Sequence, residues 1–291
     1  MSQPTSPRQL DTGSASDRSL STAGAIGVRG RADRFWRRIT PVMRKVPEIT
    51  LIFWTIKVLT TAMGEVTSDY LVYQINPVIA VALGGMGLAG AMALQFLARR
   101  YVPSIYWLAV VMVAIFGTMA ADVLHIELGV PYLMSTTFFA LALGVIFVAW
   151  YATEKTLSIH SINTPRRELF YWATVMATFA LGTAAGDMTA STMGLGYFTS
   201  GVMFGILFVI PALAYRLISL NPILAFWMAY ILTRPFGASF ADWAGKSNSL
   251  SGLGLGTGEV SVILGVLIIV LVGYLTVTHK DVESDLPAAS V

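Results

Sequence analysis

The chain has no cysteine, which excludes disulfides, thiolate metal sites and cysteine nucleophiles. Its three histidines are too few for a His-rich metal centre. Charged residues make up 12% of the 291, about half the share a soluble domain carries. The charge is also unevenly spread. Nine of the nineteen Lys and Arg lie between Arg8 and Lys45, so the formal net charge of +3 describes that stretch and not the rest. Residues 1–30 lack a run of large apolar side chains and are expected to stay disordered. No apolar run follows their basic residues, so they are not read as a secretory signal. Arg31, Arg34, Phe35, Trp36, Arg37 and Arg38 read as a segment lying on anionic lipid headgroups. No nucleic-acid partner is expected.

What the chain has in quantity is apolar length: 55% of its residues are hydrophobic. Eight segments stand out, roughly 47–70, 77–98, 104–124, 131–153, 168–190, 194–217, 221–243 and 254–278. Each can cross a hydrocarbon core as a helix, which takes about 20 residues. Barrel strands would show alternating stretches of about ten. The sequence therefore predicts an all-α membrane protein of eight transmembrane helices. Residues 1–44 form a basic cytoplasmic tail, 45–280 the transmembrane domain, and 281–291 a short second tail. Arg99, Arg100, Lys155, Arg166, Arg167, Arg216 and Lys280 sit on alternate connections. The opposite ends carry Asp69, Asp122, His125, Glu127, Asp187 and Asp242, with Lys246 their only Lys or Arg. The positive-inside rule then places both termini in the cytoplasm.

One pattern occurs four times without slippage: Trp, nine residues, Gly, four residues, Asp. The copies are Trp54, Gly64 and Asp69; Trp107, Gly117 and Asp122; Trp172, Gly182 and Asp187; Trp227, Gly237 and Asp242. Four repeats follow, at about 45–100, 101–160, 166–217 and 220–280, each expected to be a two-helix hairpin. An even number of spans separates the copies, so the repeats run parallel about an axis along the membrane normal. The Trp helices run outward, with each Asp about 22 Å beyond its Trp.

An acid within a membrane span is costly and marks a candidate site. Four residues before the Asp lie Glu65, Thr118, Thr183 and Ala238, on the same helix face. Three repeats thus place an oxygen one turn deeper, and Asp69, Asp122, Asp187, Asp242 and Glu65 become a candidate cation path. The competing reading makes each Asp a helix cap. Lys57, Thr61, Glu65 and Asp69 form one polar stripe. The matching stripe of the fourth repeat is Tyr230, Arg234, Ala238 and Asp242, while the middle repeats carry Val110, Ala114, Val175 and Phe179. A charge at mid-bilayer needs a partner, so Lys57 is expected to pair with Glu65 or with an Asp of another repeat.

The remaining motifs are weaker. The repeated Gly is read as a surface for close helix approach. The repeated Trp is read as an aromatic belt at the cytoplasmic interface, or more sharply as a gate of four rings. Pro211 and Arg234-Pro235 predict helix kinks. The glycines from Gly252 to Gly258 read as a flexible lead into the last helix, since nothing of a phosphate loop surrounds them. Asp122, His125 and Glu127 have metal-ligand spacing in one repeat alone.

The opening Lys45-Val46-Pro47-Glu48-Ile49-Thr50, then Phe53-Trp54 and Gly64-Glu65, resembles the start of a family of bacterial integral membrane proteins. Those are built from four tandem two-helix repeats, each with a characteristic tryptophan. The resemblance covers about residues 45–280 and implies the architecture and a bacterial inner-membrane location, without an activity. From the residues, the expected function is a transporter or channel for a small cation, with proton coupling suited to unpaired carboxylates. An all-oxygen site favours hard cations or protons. The alternatives are a membrane enzyme acting on a lipid and a non-transporting scaffold or sensor. No cofactor and no catalytic residue are expected, the bilayer is the expected partner, and the oligomeric state is not legible.

Overall fold

The structure is a computed structural model that describes residues 44–281, apart from the side chains of Ile126 and Glu127. The expected disordered tail, its basic–aromatic stretch and residues 282–291 lie outside the described residues. Among the described residues the long elements are eight α-helices, and no strand occurs. They are α1 (Leu51–Gln74), α2 (Pro77–Leu97), α3 (Pro103–Asp122), α4 (Tyr132–Glu154), α5 (Pro165–Asp187), α6 (Gly196–Ile218), α7 (Pro222–Gly245) and α8 (Thr257–Thr278). Seven are long and apolar enough to cross a membrane. The other is α1, whose Lys57, Glu65, Asp69 and run of hydroxyl residues lower its hydropathy.

Local sequence sets where the helices start. Thr50, Asn76, Thr164 and Asn221 are N-caps whose side chains accept from amides of the first turn. Pro77, Pro103, Pro165 and Pro222 open their helices, where a missing N–H costs nothing. The helices run on through Pro211 and Pro235. Directly after Asp122 and Asp187, α3 and α5 loosen into π-helical turns, Val123–Glu127 and Met188–Thr192.

The four Trp-bearing helices form a closed central ring in which α1 packs on α3, α3 on α5, α5 on α7, and α7 on α1. The repeated glycines make that ring tight. A Cβ on Gly64 would stand 2.4 Å from Ala114 Cβ, and one on Gly117 3.0 Å from Phe179 Cβ. A Cβ on Gly182 would meet Arg234 Cγ at 2.3 Å, and one on Gly237 would meet Thr61 Oγ1 at 2.1 Å. In every case the Gly of one repeat faces the residue seven after the Trp of the next, and the fourth repeat returns to the first. The four helices are therefore parallel, in register and related by a pseudo-fourfold axis.

The even helices lie outside this ring. In their apolar stretches 17% of residues are buried, against 56–61% in α3, α5 and α7. Here the hairpin expectation is corrected. Each even helix packs chiefly on the Trp helix of the following repeat: α2 on α3, α4 on α5, α6 on α7 and α8 on α1. The contact between α1 and α2 is slight by comparison. Short connections keep sequence neighbours close, but the groove that an even helix fills lies beside the next central helix.

Candidate functional site

The axis of the ring is lined by side chains that recur every turn after the Trp, and these stack in tiers. The first tier is aromatic. Each Trp is preceded by Phe53, Tyr106, Tyr171 or Phe226, and each of these rings meets the Trp of the adjacent repeat. Phe53 lies 5.6 Å from Trp107, Tyr106 5.7 Å from Trp172, Tyr171 6.2 Å from Trp227, and Phe226 5.7 Å from Trp54. Eight rings thus close a collar around one end of the bundle. Trp107, Trp172 and Trp227 are buried, so the belt reading is corrected: these indoles face the protein interior and not the lipid interface. The Tyr106 and Tyr171 hydroxyls lie 2.5 Å apart within the collar.

Around the collar, loop contacts tie chain ends together. Lys45 Nζ is 2.6 Å from Glu168 Oε2, and Gln95 Nε2 donates to Glu168 Oε1 at 3.0 Å. Tyr101 donates to Asp281 Oδ2 at 2.5 Å, and the Glu48 amide donates to the Asp281 carbonyl at 2.9 Å. Burial and then the Asp281 carboxylate push the Tyr101 hydroxyl well above its ordinary value, so it remains the donor.

Next along the axis comes Lys57. It is fully buried and its Nζ has no hydrogen-bond partner among the described residues. Nζ sits 4.1 Å from the centre of the Phe179 ring and 4.3 Å from that of Tyr230, packed between two aromatic faces. The expected pairing with Glu65 or an Asp is therefore corrected. Position 57 lies two turns below Glu65 on the same helix, and Glu65 has another partner.

That partner is Arg234, itself fully buried. Its Nη2 has three acceptors within reach of its two hydrogens, Glu65 Oε2 at 2.6 Å, Thr183 Oγ1 at 2.7 Å and Thr118 Oγ1, while Nη1 donates to the Thr61 carbonyl at 3.1 Å. Glu65, Thr118 and Thr183 are the repeat-equivalent oxygens one turn below the Asp residues. They converge on the protein's own cation and not on a path left open for an ion. The fourth repeat has Ala238 at that position and supplies the guanidinium from one turn earlier. Thr61 also donates to the Thr233 carbonyl at 3.1 Å, which fastens α1 to α7 beside the guanidinium.

The last tier holds the four carboxylates. Asp242 is buried, and Asp69, Asp122 and Asp187 are partly so. None caps a helix: Asp69 and Asp242 lie inside α1 and α7, and Asp122 and Asp187 make no cap hydrogen bond to the turns they precede. Lys246 Nζ lies 3.0 Å from Asp242 Oδ2 and 3.4 Å from Asp69 Oδ2. Burial opposes its charge, but Asp242, Asp69, Asp187 and Glu65 more than offset this and hold the ammonium well above the ordinary lysine value. Asp122 and Asp187 form no ion pair among the described residues. Asp122 lies among the charges of Glu65, Asp187, Asp69 and Lys246. One oxygen each of Glu65, Asp69 and Asp242 fall within 4.8 Å of one another, a spacing that could hold a metal ion.

Lys246 is placed by the glycine-rich segment, which is a strap and not a flexible lead. The amides of Leu253, Gly254, Leu255 and Gly256 donate to the carbonyls of Trp243, Lys246, Ala244 and Gly245 at 2.6–3.2 Å. They satisfy the open carbonyls at the end of α7. Gly254 and Gly256 adopt φ of +74° and +91°, and a Cβ on Gly252 would stand 2.0 Å from the Lys246 oxygen. His125 turns to its own loop, with Nδ1 3.2 Å from the Val130 carbonyl and its ring 4.2 Å from Tyr132. The Glu127 side chain lies outside the described residues.

Sequence reasoning missed three things here. The Phe or Tyr before every Trp was legible as a fourfold dyad. Lys246 was legible as the lone cation of its end, but not its two carboxylate partners. Tyr197, 3.4 Å from Lys246 Nζ through its hydroxyl, carried no signal.

Four stretches of the chain, 52–101, 105–156, 170–219 and 225–281, match the family described as Repeat of Unknown Function (DUF347). No curated protein matches the chain. No solved structure matches it either.

Proposed function

We propose, on the premise that the chain belongs to the DUF347 repeat family, that it is an eight-span carrier for a small cation in the bacterial inner membrane. In this reading both termini and the aromatic collar face the cytoplasm and the Asp tier faces out, following the Lys and Arg of alternate connections. The observation that carries the proposal is an imbalance of charge. Glu65, Asp69, Asp122, Asp187 and Asp242 gather at one end of the ring, and their ion-pair partners among the described residues are Arg234 and Lys246. Carboxylates left without a partner in a membrane span must take up protons or a cation, and an acidic mouth concentrates cations. Arg234 seals the axis directly below, and the collar seals the far end. A carrier that breaks these seals in turn suits such an arrangement better than an open pore.

The test is uptake and growth in metal across a panel of monovalent and divalent cations, comparing a deletion strain with the same strain complemented by the wild-type chain. A cation whose uptake or tolerance depends on the chain supports the proposal, and indifference to every cation rejects it. Reporter fusions near positions 74, 127, 191 and 248 should read as external, and a cytoplasmic signal at any of them breaks the eight-span topology.

A further inference from the structure

We infer that Lys246 is a tethered occupant of a divalent-cation seat formed by Glu65, Asp69 and Asp242, and that the ion enters by exchanging with its ammonium. The inference rests on the cation reading above and adds the class of ion and the residue that competes with it.

The seat is defined by geometry. One oxygen from each carboxylate lies within 4.8 Å of the other two. Hard divalent ions hold oxygens at about 2.0–2.6 Å, so any two ligands of one ion lie within about 5 Å. The carboxylates of the seat also have unused capacity. Asp242 is 2% exposed, and its Oδ1 is buried without a hydrogen-bond partner. Asp69 Oδ2 is likewise buried, and its contact with Lys246 at 3.4 Å is an ion pair without a hydrogen bond. A buried carboxylate oxygen left unbonded is expensive, and a metal ion supplies the missing partner.

Charge selects the ion. Arg234 permanently offsets one of the three carboxylates through Glu65. Counting the three ligands alone, one negative charge remains with Lys246 in place and two with it withdrawn, and Asp122 and Asp187 beside them add further negative charge. A divalent ion balances the vacated seat, whereas a monovalent ion does no better than the lysine.

The exchange requires only a side-chain movement. The strap from Leu253 to Gly256 holds the backbone at the end of α7, with the Gly254 amide on the Lys246 carbonyl at 2.8 Å. In the seated position Nζ already contacts Tyr197, its hydroxyl at 3.4 Å and its ring centre at 4.8 Å, and on release the ammonium would exchange the two carboxylates for this partner and water.

The experiment measures Mn²⁺ binding to the purified full chain in detergent, from the loss of the free-ion EPR signal. The variants are Lys246→Gln, Lys246→Arg, Lys246→Gln with Asp242→Asn, and Lys280→Gln as a remote control. Lys246→Gln should bind Mn²⁺ at least tenfold more tightly than wild type. Lys246→Arg should bind no more tightly than wild type, and the double variant should lose the gain. An unchanged or weaker affinity in Lys246→Gln overturns the exchange, and full affinity in the double variant places the ion elsewhere and does the same. Absence of binding in wild type and Lys246→Gln alike overturns the divalent seat, whereas the cation reading itself falls only if uptake and tolerance are indifferent to every cation of the panel. Should Lys246→Gln not fold, acetylation of Lys246 in the wild-type chain, read by mass spectrometry, takes its place. Acetylation should rise with Mn²⁺ if the ammonium is released, and unchanged acetylation at saturating Mn²⁺ overturns the inference.

Discussion

Arg234, on the fourth repeat, donates through Nη2 to Glu65 Oε2 of the first at 2.6 Å. The same nitrogen takes Thr118 and Thr183 from the second and third repeats, so one guanidinium joins all four. The fourfold pattern is broken at one place, and the break is where the charge sits. A symmetric ring of four oxygens would leave an open polar hole on the axis. Replacing one oxygen by Ala238 and supplying Arg234 from a turn below fills that hole.

The first prediction follows from this pairing. Removing one partner of a buried ion pair strands the other and costs about 3–5 kcal/mol. Arg234→Ala should therefore lower the unfolding temperature in detergent more than Arg234→Met combined with Glu65→Gln. Lys57 belongs to a different tier, so Lys57→Met and Glu65→Gln should add to within about 0.5 kcal/mol. Strong coupling between Lys57 and Glu65, with none between Arg234 and Glu65, would contradict the arrangement.

A second prediction concerns the repeated glycine. A methyl group on Gly182 would overlap the Arg234 side chain at 2.3 Å and Pro235 Cδ at 2.9 Å, and a packed ring has no slack to give. Gly182→Ala should cost about 1–3 kcal/mol through overpacking. Gly144 meets nothing within 4 Å, and Gly144→Ala in α4 should be neutral or gain a few tenths of a kcal/mol from helix propensity. Thermal unfolding of the two purified variants makes the comparison.

A third prediction tests the pairing of helices across repeats. Thr67 on α1 and Ser261 on α8 bring their hydroxyls to 2.6 Å. The chain has no cysteine of its own, so Thr67→Cys with Ser261→Cys gives a clean pair. Oxidation should cross-link the first and last helices, and protease cleavage of an intervening loop should leave the fragments joined until reduction. Two fragments that separate without reductant would argue against the packing of α8 on α1.

Much of this was legible in the sequence, and the parts that were not share a cause. The helices fall within a few residues of the apolar segments because length and hydropathy are properties of one stretch of chain. Glu65, Thr118 and Thr183 could be put on one helix face with the Asp residues because four-residue spacing fixes a helix face. Partnership across helices is a different matter. Lys57 and Glu65 share a stripe, and nothing along α1 reveals that a guanidinium 169 residues away takes the carboxylate. The packing of α2 chiefly on α3 and only slightly on α1 likewise depends on how the central helices assemble, which no single stretch of chain encodes. The buried Trp was misjudged because a ring near a helix start suits either a lipid interface or a collar, and the Phe or Tyr beside it decides.

The last prediction separates the four Asp residues, which the repeat pattern makes equivalent and the structure does not. Asp69 and Asp242 are held by Lys246, whereas Asp122 and Asp187 have no ion-pair partner among the described residues and cap no helix. Asn keeps the shape of Asp and removes its charge. Asp122→Asn and Asp187→Asn should therefore reach the membrane at wild-type level, Asp122→Asn with unchanged or higher thermal stability because it removes a charge set among like charges, and Asp187→Asn with at most a small loss because its pull on Lys246 is exerted without an ion-pair contact. Asp242→Asn should lower stability, since it leaves Lys246 with one weaker partner. If the carboxylates serve one cation, uptake should fall in each of the three. The Asp122→Asn and Asp187→Asn double variant should then lose less than the sum of the singles, because the first change already weakens the shared site. Independent structural roles predict the reverse: small additive losses that track protein level. Uptake of the responsive cation, normalised to the amount of protein in the membrane, distinguishes the two, and wild-type uptake in the double variant would remove Asp122 and Asp187 from the cation path.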